Sequence, residues 1–263
     1  MHAFICVTCG TQYPPSAEPP AECPICLDER QYVGHDGQRW TTMAELASGH
    51  RNRIRELEPG LAGIGTEPAF AIGQRALAVG GLLWDCVTLI DAETVAAVRA
   101  AGGVHTIAIS HPHYYSGMVE WAEQLDARVL LHEADRRWVM RPSPRIEYWS
   151  GEHATVGDGL ELHRLGGHFD GGTVCLWRDG AGGRGALLSG DIVQVVADRS
   201  WVSFMYSYPN LIPLPAAEIR RIRGIVERLE FDRVYGAWWD AVVPDGARAK
   251  VLRSADRYLR ALA

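Results

Sequence analysis

Two Cys-x-x-Cys pairs within the first 26 residues, Cys6/Cys9 and Cys23/Cys26, constrain this chain more than any other feature. The tight turn inside each pair brings two thiolates to one point. Two such knuckles facing each other make a tetrahedral four-sulfur site, which suits Zn²⁺ or a single iron. The loop between them carries Pro14, Pro15, Pro19 and Pro20 and cannot build a core. A piece this small needs a central tie, and metal binding would supply its folding free energy, on the order of 10 kcal/mol or more. Disulfides are the lesser expectation, because the chain reaches Cys6 without a secretory pattern and no apolar run approaches the ~20 residues that span a bilayer. The expected compartment is the cytoplasm.

The first knuckle reads Cys-Val-Thr-Cys-Gly and the second Cys-Pro-Ile-Cys, a pairing that resembles rubredoxin-like and zinc-ribbon modules. Rubredoxins place Gly after the last cysteine, where this chain has Leu27. Backbone N–H groups near the sulfurs tune a redox iron, so the departure favours structural zinc over iron. The ribbon is read as residues 1–34 and a connecting segment as 35–64. Cys86 and Cys175 lie in apolar runs and read as small core residues.

Of 263 residues, 47% are hydrophobic and 22% charged, enough apolar material for one sizeable core plus this appendage. The net charge of −6 gives no electrostatic reason to seek nucleic acid or anionic lipid. Beyond residue 65, strand and helix patterns alternate. Strands are expected at Ala76–Leu83, Val104–Ser110, Arg128–His132, Leu160–Leu165, Thr173–Trp177 and Ala186–Ser189. Helices are expected at Asp91–Ala101, Gly117–Leu125, Ala216–Leu229 and Asp245–Leu259, with a capped helical turn at Thr41–Leu46 and a loop at Gly60–Gly65. The fold class is mixed α+β in layers.

The chemistry-bearing residues sit where strands end. His111-Pro112-His113-Tyr114-Tyr115-Ser116-Gly117 follows one strand, Gly166-Gly167-His168 another, and Ser189-Gly190-Asp191 a third. Glycines around His168 permit close backbone approach. Three imidazoles and a carboxylate at loop tips make a transition-metal site. His35, His50, His105, His132, His153 and His163 have no ligand-spaced partner and read as structural or exposed.

The order of these motifs is similar to the metallo-β-lactamase superfamily, whose first motif is His-x-His-x-Asp-His, followed by a Gly-His and a Gly-Asp segment. The resemblance covers roughly residues 65–263 and implies an αββα sandwich with the site at one edge of its two sheets. It places His111, His113 and His168 as metal ligands and Asp191 as the carboxylate that often bridges two metals. Tyr115 and Ser116 stand where the family has Asp and His, and Gly236-Ala237-Trp238-Trp239 replaces a late Gly-His motif. One metal ion, Zn or Fe, is therefore expected, held by His111, His113, His168 and Asp191, with Asp191 or Tyr115 orienting water.

Tyr114, Tyr115, Trp238 and Trp239 are expected to line a fairly apolar substrate pocket. The aromatic, Pro-containing stretch Trp201–Leu214 suits covering the site or a partner chain, which leaves a homodimer open. The leading functional expectation is a hydrolase attacking an ester, thioester, lactone or amide of a small molecule with water activated on one metal ion. The alternatives are a non-catalytic ligand-binding or sensory relative with an eroded site, and an iron-dependent redox protein.

Overall fold

The computed structural model describes all residues from Met1 to Ala263. Its main body is two facing sheets. The first has seven strands in the spatial order Ile146–Trp149, Arg128–His132, Thr106–Ala108, Leu82–Trp84, Arg75–Val79, Leu61–Glu67 and Arg51–Glu58. The second has six, in the order His153–Gly157, Leu160–Arg164, Thr173–Trp177, Ala186–Gly190, Arg233–Gly236 and Val242–Val243.

Strand residues alternate in direction, so a strand covered on both faces distributes its apolar side chains between two cores. Leu82 and Trp84 enter the core between the sheets while Leu83 faces the outer one. Cys175 and Trp177 likewise point inward, and Val174 and Leu176 outward. Helices Ala92–Ala100 and Met118–Leu125 cover the outside of the first sheet, contributing Val95, Val98, Trp121 and Leu125. Helices Ala216–Val226 and Ala247–Ala261 cover the second with Ile219, Ile222, Val226 and Val251. The result is the αββα arrangement. Local capping agrees with it: Asp91 accepts from the Thr94 amide at 2.7 Å, and Thr42 with Glu45 forms a reciprocal capping box. No helix is long and apolar enough to cross a membrane.

Two stretches differ from expectation. The strand expected over Ala76–Leu83 is a hairpin turned at Gly80 and Gly81, both at positive φ. The loop expected at Gly60–Gly65 is mostly strand, and Arg51–Glu58 pairs with Leu61–Glu67 to carry part of the presumed connection into the first sheet. Arg51–Glu58 reads Arg-Asn-Arg-Ile-Arg-Glu-Leu-Glu because it is the sheet's outer edge, where charge guards unpaired backbone and the period-two apolar signal vanishes.

The ribbon has its own three-stranded sheet, His2–Cys6 flanked by Gln12–Ser16 and Trp40–Thr41. It is seated on the main body, not tethered beside it. Its four cysteines share one core with Trp121, Val119 and Phe169. The Gln12 amide donates to the Ser116 carbonyl at 3.1 Å, and the Gln12 side chain donates to Glu120 at 2.6 Å. Gly10 has a φ of +80°, and a Cβ there would come within 2.3 Å of the Thr88 hydroxyl. Only glycine permits that approach. Cys86 and Cys175 are fully buried: Cys86 lies in the same core as the ribbon's cysteines and Cys175 in the core between the sheets, and neither joins the four-sulfur group.

Candidate metal centres

Cys6, Cys9, Cys23 and Cys26 converge, all with free thiols and at most 1% exposed. Cys6 Sγ lies 3.6 Å from Cys26 Sγ, and Cys9 Sγ lies 3.7 Å from Cys23 Sγ. A disulfide would need ~2.0 Å. Four sulfurs each ~2.3 Å from a central ion in a tetrahedron stand ~3.8 Å apart, so the spacing fits one ion and no covalent bridge. The Gln38 side-chain amide donates to Cys6 Sγ at 3.2 Å. Hydrogen bonding from Cys23, and then from Cys26 and Cys9, lowers the Cys6 thiol below its ordinary value.

The second centre is built where strands of both sheets end. His111 is extended, with φ −171° and ψ 170°, and the next three residues form a 3₁₀ turn, Pro112–Tyr114. His113 leaves that turn toward His168, whose loop is shaped by Gly166 and Gly167 at positive φ. The ligand atoms of His111, His113 and His168 lie within 4.8 Å of one another, with the residues 1%, 3% and 2% exposed. His168 Nε2 is 3.2 Å from His113 Nδ1, and His111 Nε2 is 3.3 Å from Asp191 Oδ1. Nitrogen or oxygen donors ~2.1 Å from a shared ion at a tetrahedral angle would stand ~3.4 Å apart.

The fit to a metal ion also shows in what these atoms lack. His111 Nε2, His113 Nε2 and Asp191 Oδ1 are buried without any hydrogen-bond partner. Native interiors rarely leave such groups orphaned. Two of the rings are anchored through their Nδ1: His168 Nδ1 is 2.7 Å from the Tyr206 carbonyl, and His111 Nδ1 is 2.9 Å from Ser110 Oγ. Behind Ser110, Asp85 accepts the Ser110 amide at 2.7 Å. Such outer partners fix ring orientation at metal sites. Burial lowers all three imidazoles, His168 to about 4, so each is neutral and able to ligate. Burial raises Asp191 and Asp85 to about 7.

Asp191 adjoins His111 but stands outside the mutually close set of three imidazoles. Tyr114 packs on His111 at 4.3 Å between ring centres, and its hydroxyl faces Asp191, whose charge adds to burial in raising the phenol. Tyr115 goes elsewhere. Successive residues of a 3₁₀ turn point about 120° apart, and Tyr115 lines the seam with the ribbon beside Thr11, Gln12 and Arg141. It packs there against the ribbon, whereas the Tyr114 hydroxyl is the one that faces Asp191. Ser116 accepts from the Gln74 side chain at 2.9 Å.

Trp238 and Trp239 pack as structural residues. Trp238 joins the cores on both outer faces and donates to the Ile72 carbonyl at 3.2 Å. Trp239 lies flat over Gly63 and Gly65, between the Arg55 and Arg75 guanidinium groups. The cover of the triad comes from Trp201–Leu214 and from the ribbon. Tyr208 donates to the Asp191 carbonyl at 2.7 Å, and its ring is 5.4 Å from His168. Arg30 sits 4.0 Å over the Phe169 ring and is paired with Asp28 at 2.6 Å. Tyr206 donates to Glu29 at 2.7 Å, locking the two covering segments together. The sequence offered no sign of Arg30 here. Asp85 was legible only as a lone carboxylate in the apolar run Leu82–Leu89.

The chain is 49% identical over 268 residues to the uncharacterized protein YmaE of Bacillus subtilis (strain 168), a match covering 100% of this chain and 97% of YmaE. It belongs to the YmaE family. Among solved structures, this YmaE-family chain is similar to the metallo-β-lactamase DIM-1, with a TM-score of 0.61 and 14% identity over 81% of this chain and 99% of that one. It is also similar to the chemotaxis sensor ODP, solved as a peroxy diiron species, with a TM-score of 0.52 and 16% identity over 79% and 94%. The YmaE-family fold is thus that of the metallo-β-lactamases. No family model matches the chain.

Proposed function

We propose that the protein is a metal-dependent hydrolase acting on a carbonyl of a small molecule: an ester, thioester, lactone or amide. The observation that carries this reading is the convergence of three neutral, buried imidazoles beside a carboxylate, with facing atoms 3.2–3.3 Å apart and His111 Nε2 and Asp191 Oδ1 both without a hydrogen-bond partner. His111 through Nε2, His113 through Nδ1 and His168 through Nε2 would hold one Zn or Fe ion. When bound, such an ion supplies an acidified water and a Lewis acid for the carbonyl. Asp191 stands where it can hold the proton given up by that water, with the Tyr114 hydroxyl facing the same carboxylate. Tyr206, Tyr208 and Phe169 exclude bulk water around the rings. The ribbon's four thiolates would hold structural zinc and brace the cover.

The test is metal analysis and turnover of a carbonyl-ester, thioester, lactone and amide panel by wild type and by His111→Ala/His168→Ala. The proposal expects the variant to lose one metal equivalent and all turnover while keeping the ribbon's metal. Undiminished metal or undiminished turnover would remove it.

A second reading is a non-catalytic sensor or an iron redox protein. The closure of the triad under Arg30, Tyr206 and Tyr208 favours it, because a sealed centre suits sensing or electron transfer better than rapid exchange of a bulky substrate. Visible absorption of the purified protein and silence across the same panel would support this alternative.

A further inference from the structure

His153, Glu161 and His163 form a third cluster of ligand-type side chains, made by the edge hairpin of the second sheet alone. His153 is directly opposite His163 in the antiparallel register, and Glu161 lies two residues before His163 on the same strand face. Their donor atoms all fall within 4.8 Å. Glu161 Oε2 is 3.4 Å from His153 Nε2 and 3.3 Å from His163 Nε2.

From this we infer a third metal site: His153, Glu161 and His163 bind a divalent ion of the zinc class, leaving its remaining positions to water.

Three observations support it. The donor separations match the ~3.4 Å expected for ligands sharing one ion at ~2.1 Å, and they are close to the 3.2 Å between His168 and His113 in the triad. His163 Nε2 is buried and has no hydrogen-bond partner, although the carboxylate is close by. The same orphaning marks His111 and Asp191. The direction of approach is therefore poor for a direct hydrogen bond and suited to a shared third atom. Finally, Arg178 donates to the other oxygen of Glu161 at 2.5 Å, which orients the carboxylate and leaves Oε2 facing the imidazoles.

The surroundings set the strength. Beside the cluster is a cleft of about 340 Å³ that also receives Glu152, Arg228 and Glu230. Glu152 is committed to Arg164 and Arg221, and Glu230 to Arg248. Glu161 Oε2 is thus the carboxylate oxygen left for the ion, and Arg178 weakens its field. Binding weaker than at the two buried centres follows, with the ion bridging the edge strand His153–Gly157 and its neighbour. Imidazole and carboxylate together select Zn²⁺, Ni²⁺ or Cu²⁺ over Mg²⁺.

The experiment is calorimetric titration of Zn²⁺ into tag-free protein already loaded at its tightly held sites, beside His163→Ala and Glu161→Gln. Wild type is expected to take one further equivalent and to melt at a higher temperature with Zn²⁺ present. Both variants should bind that equivalent at least about 10-fold more weakly and lose the thermal shift, while retaining the tightly held metal. A wild type that takes up no further equivalent, or variants that take it up unchanged, would overturn the assignment. Retained tight metal in the variants shows that the fold has survived, so a loss of the weaker ion cannot be put down to misfolding.

Discussion

His111 Nε2 and Asp191 Oδ1 face each other across 3.3 Å with neither atom hydrogen bonded. That pair joins a strand end of the first sheet to a strand end of the second, and it fixes where chemistry can occur. Asp191→Asn keeps the shape of the side chain and removes its ability to hold a proton. Under the proposed hydrolysis it should lower kcat by about 10²–10⁴-fold, while the three imidazoles retain their ion. Steady-state kinetics beside metal analysis of the variant checks both halves of the expectation.

The ribbon supplies part of the triad's cover, so its metal should influence the second centre. Cys23→Ser breaks the four-sulfur set and is expected to unfold the ribbon. Glu29, Arg30 and Gln31 would then leave their places against Tyr206, Phe169 and Asn210. The expected outcome is a lower Tm and faster stripping of the second metal by a chelator, read as the time course of metal release.

Arg30 tests that cover without touching a thiol. It is 4% exposed, paired with Asp28 and stacked on Phe169. Arg30→Ala removes the packing and the cation–π contact and should cost about 1–3 kcal/mol. Denaturant unfolding measures the loss, and chelator access to the triad should rise with the ribbon's metal intact.

Asp135 gives a pH prediction. Burial raises its carboxyl to about 6, although it accepts the Gly171 amide at 3.0 Å. Above its ordinary pKa of ~3.9 the unfolded chain has released this proton, while the folded one still holds it up to about pH 6. The unfolded state then binds fewer protons, so this group's contribution to stability falls as pH rises across that window. Asp135→Asn keeps an acceptor and removes the ionisation. It should flatten that part of the stability–pH profile and raise stability at pH 7 by up to about 3 kcal/mol.

Gly65 decides the role of Trp239. A Cβ on Gly65 would lie 2.7 Å from Trp239 Cζ2. Gly65→Val should destabilise the protein by about 1–3 kcal/mol through overpacking, with the triad's metal unchanged. Trp239→Ala in the same chain should recover part of the loss, a coupling visible in a double-mutant cycle.

What the sequence settled by itself was chemistry carried by local spacing. Two Cys-x-x-Cys turns close on themselves wherever they stand, and apolar runs of strand length with capped helices between them specify a layered α+β shell. The order of His111, His113, His168 and Asp191 at strand ends was enough to mark a metal centre and its family resemblance. Tertiary structure decided direction and register. Whether Tyr114 or Tyr115 reaches Asp191 depends on a 3₁₀ turn that sends neighbouring side chains different ways. His153 and His163, ten residues apart, meet only because one antiparallel register sets them opposite each other. Arg51–Glu58 is a strand whose exposed edge position erases the alternation that would announce it. In each case the deciding contact comes from a partner strand or a turn, and a one-residue change in either would turn the side chain to another face.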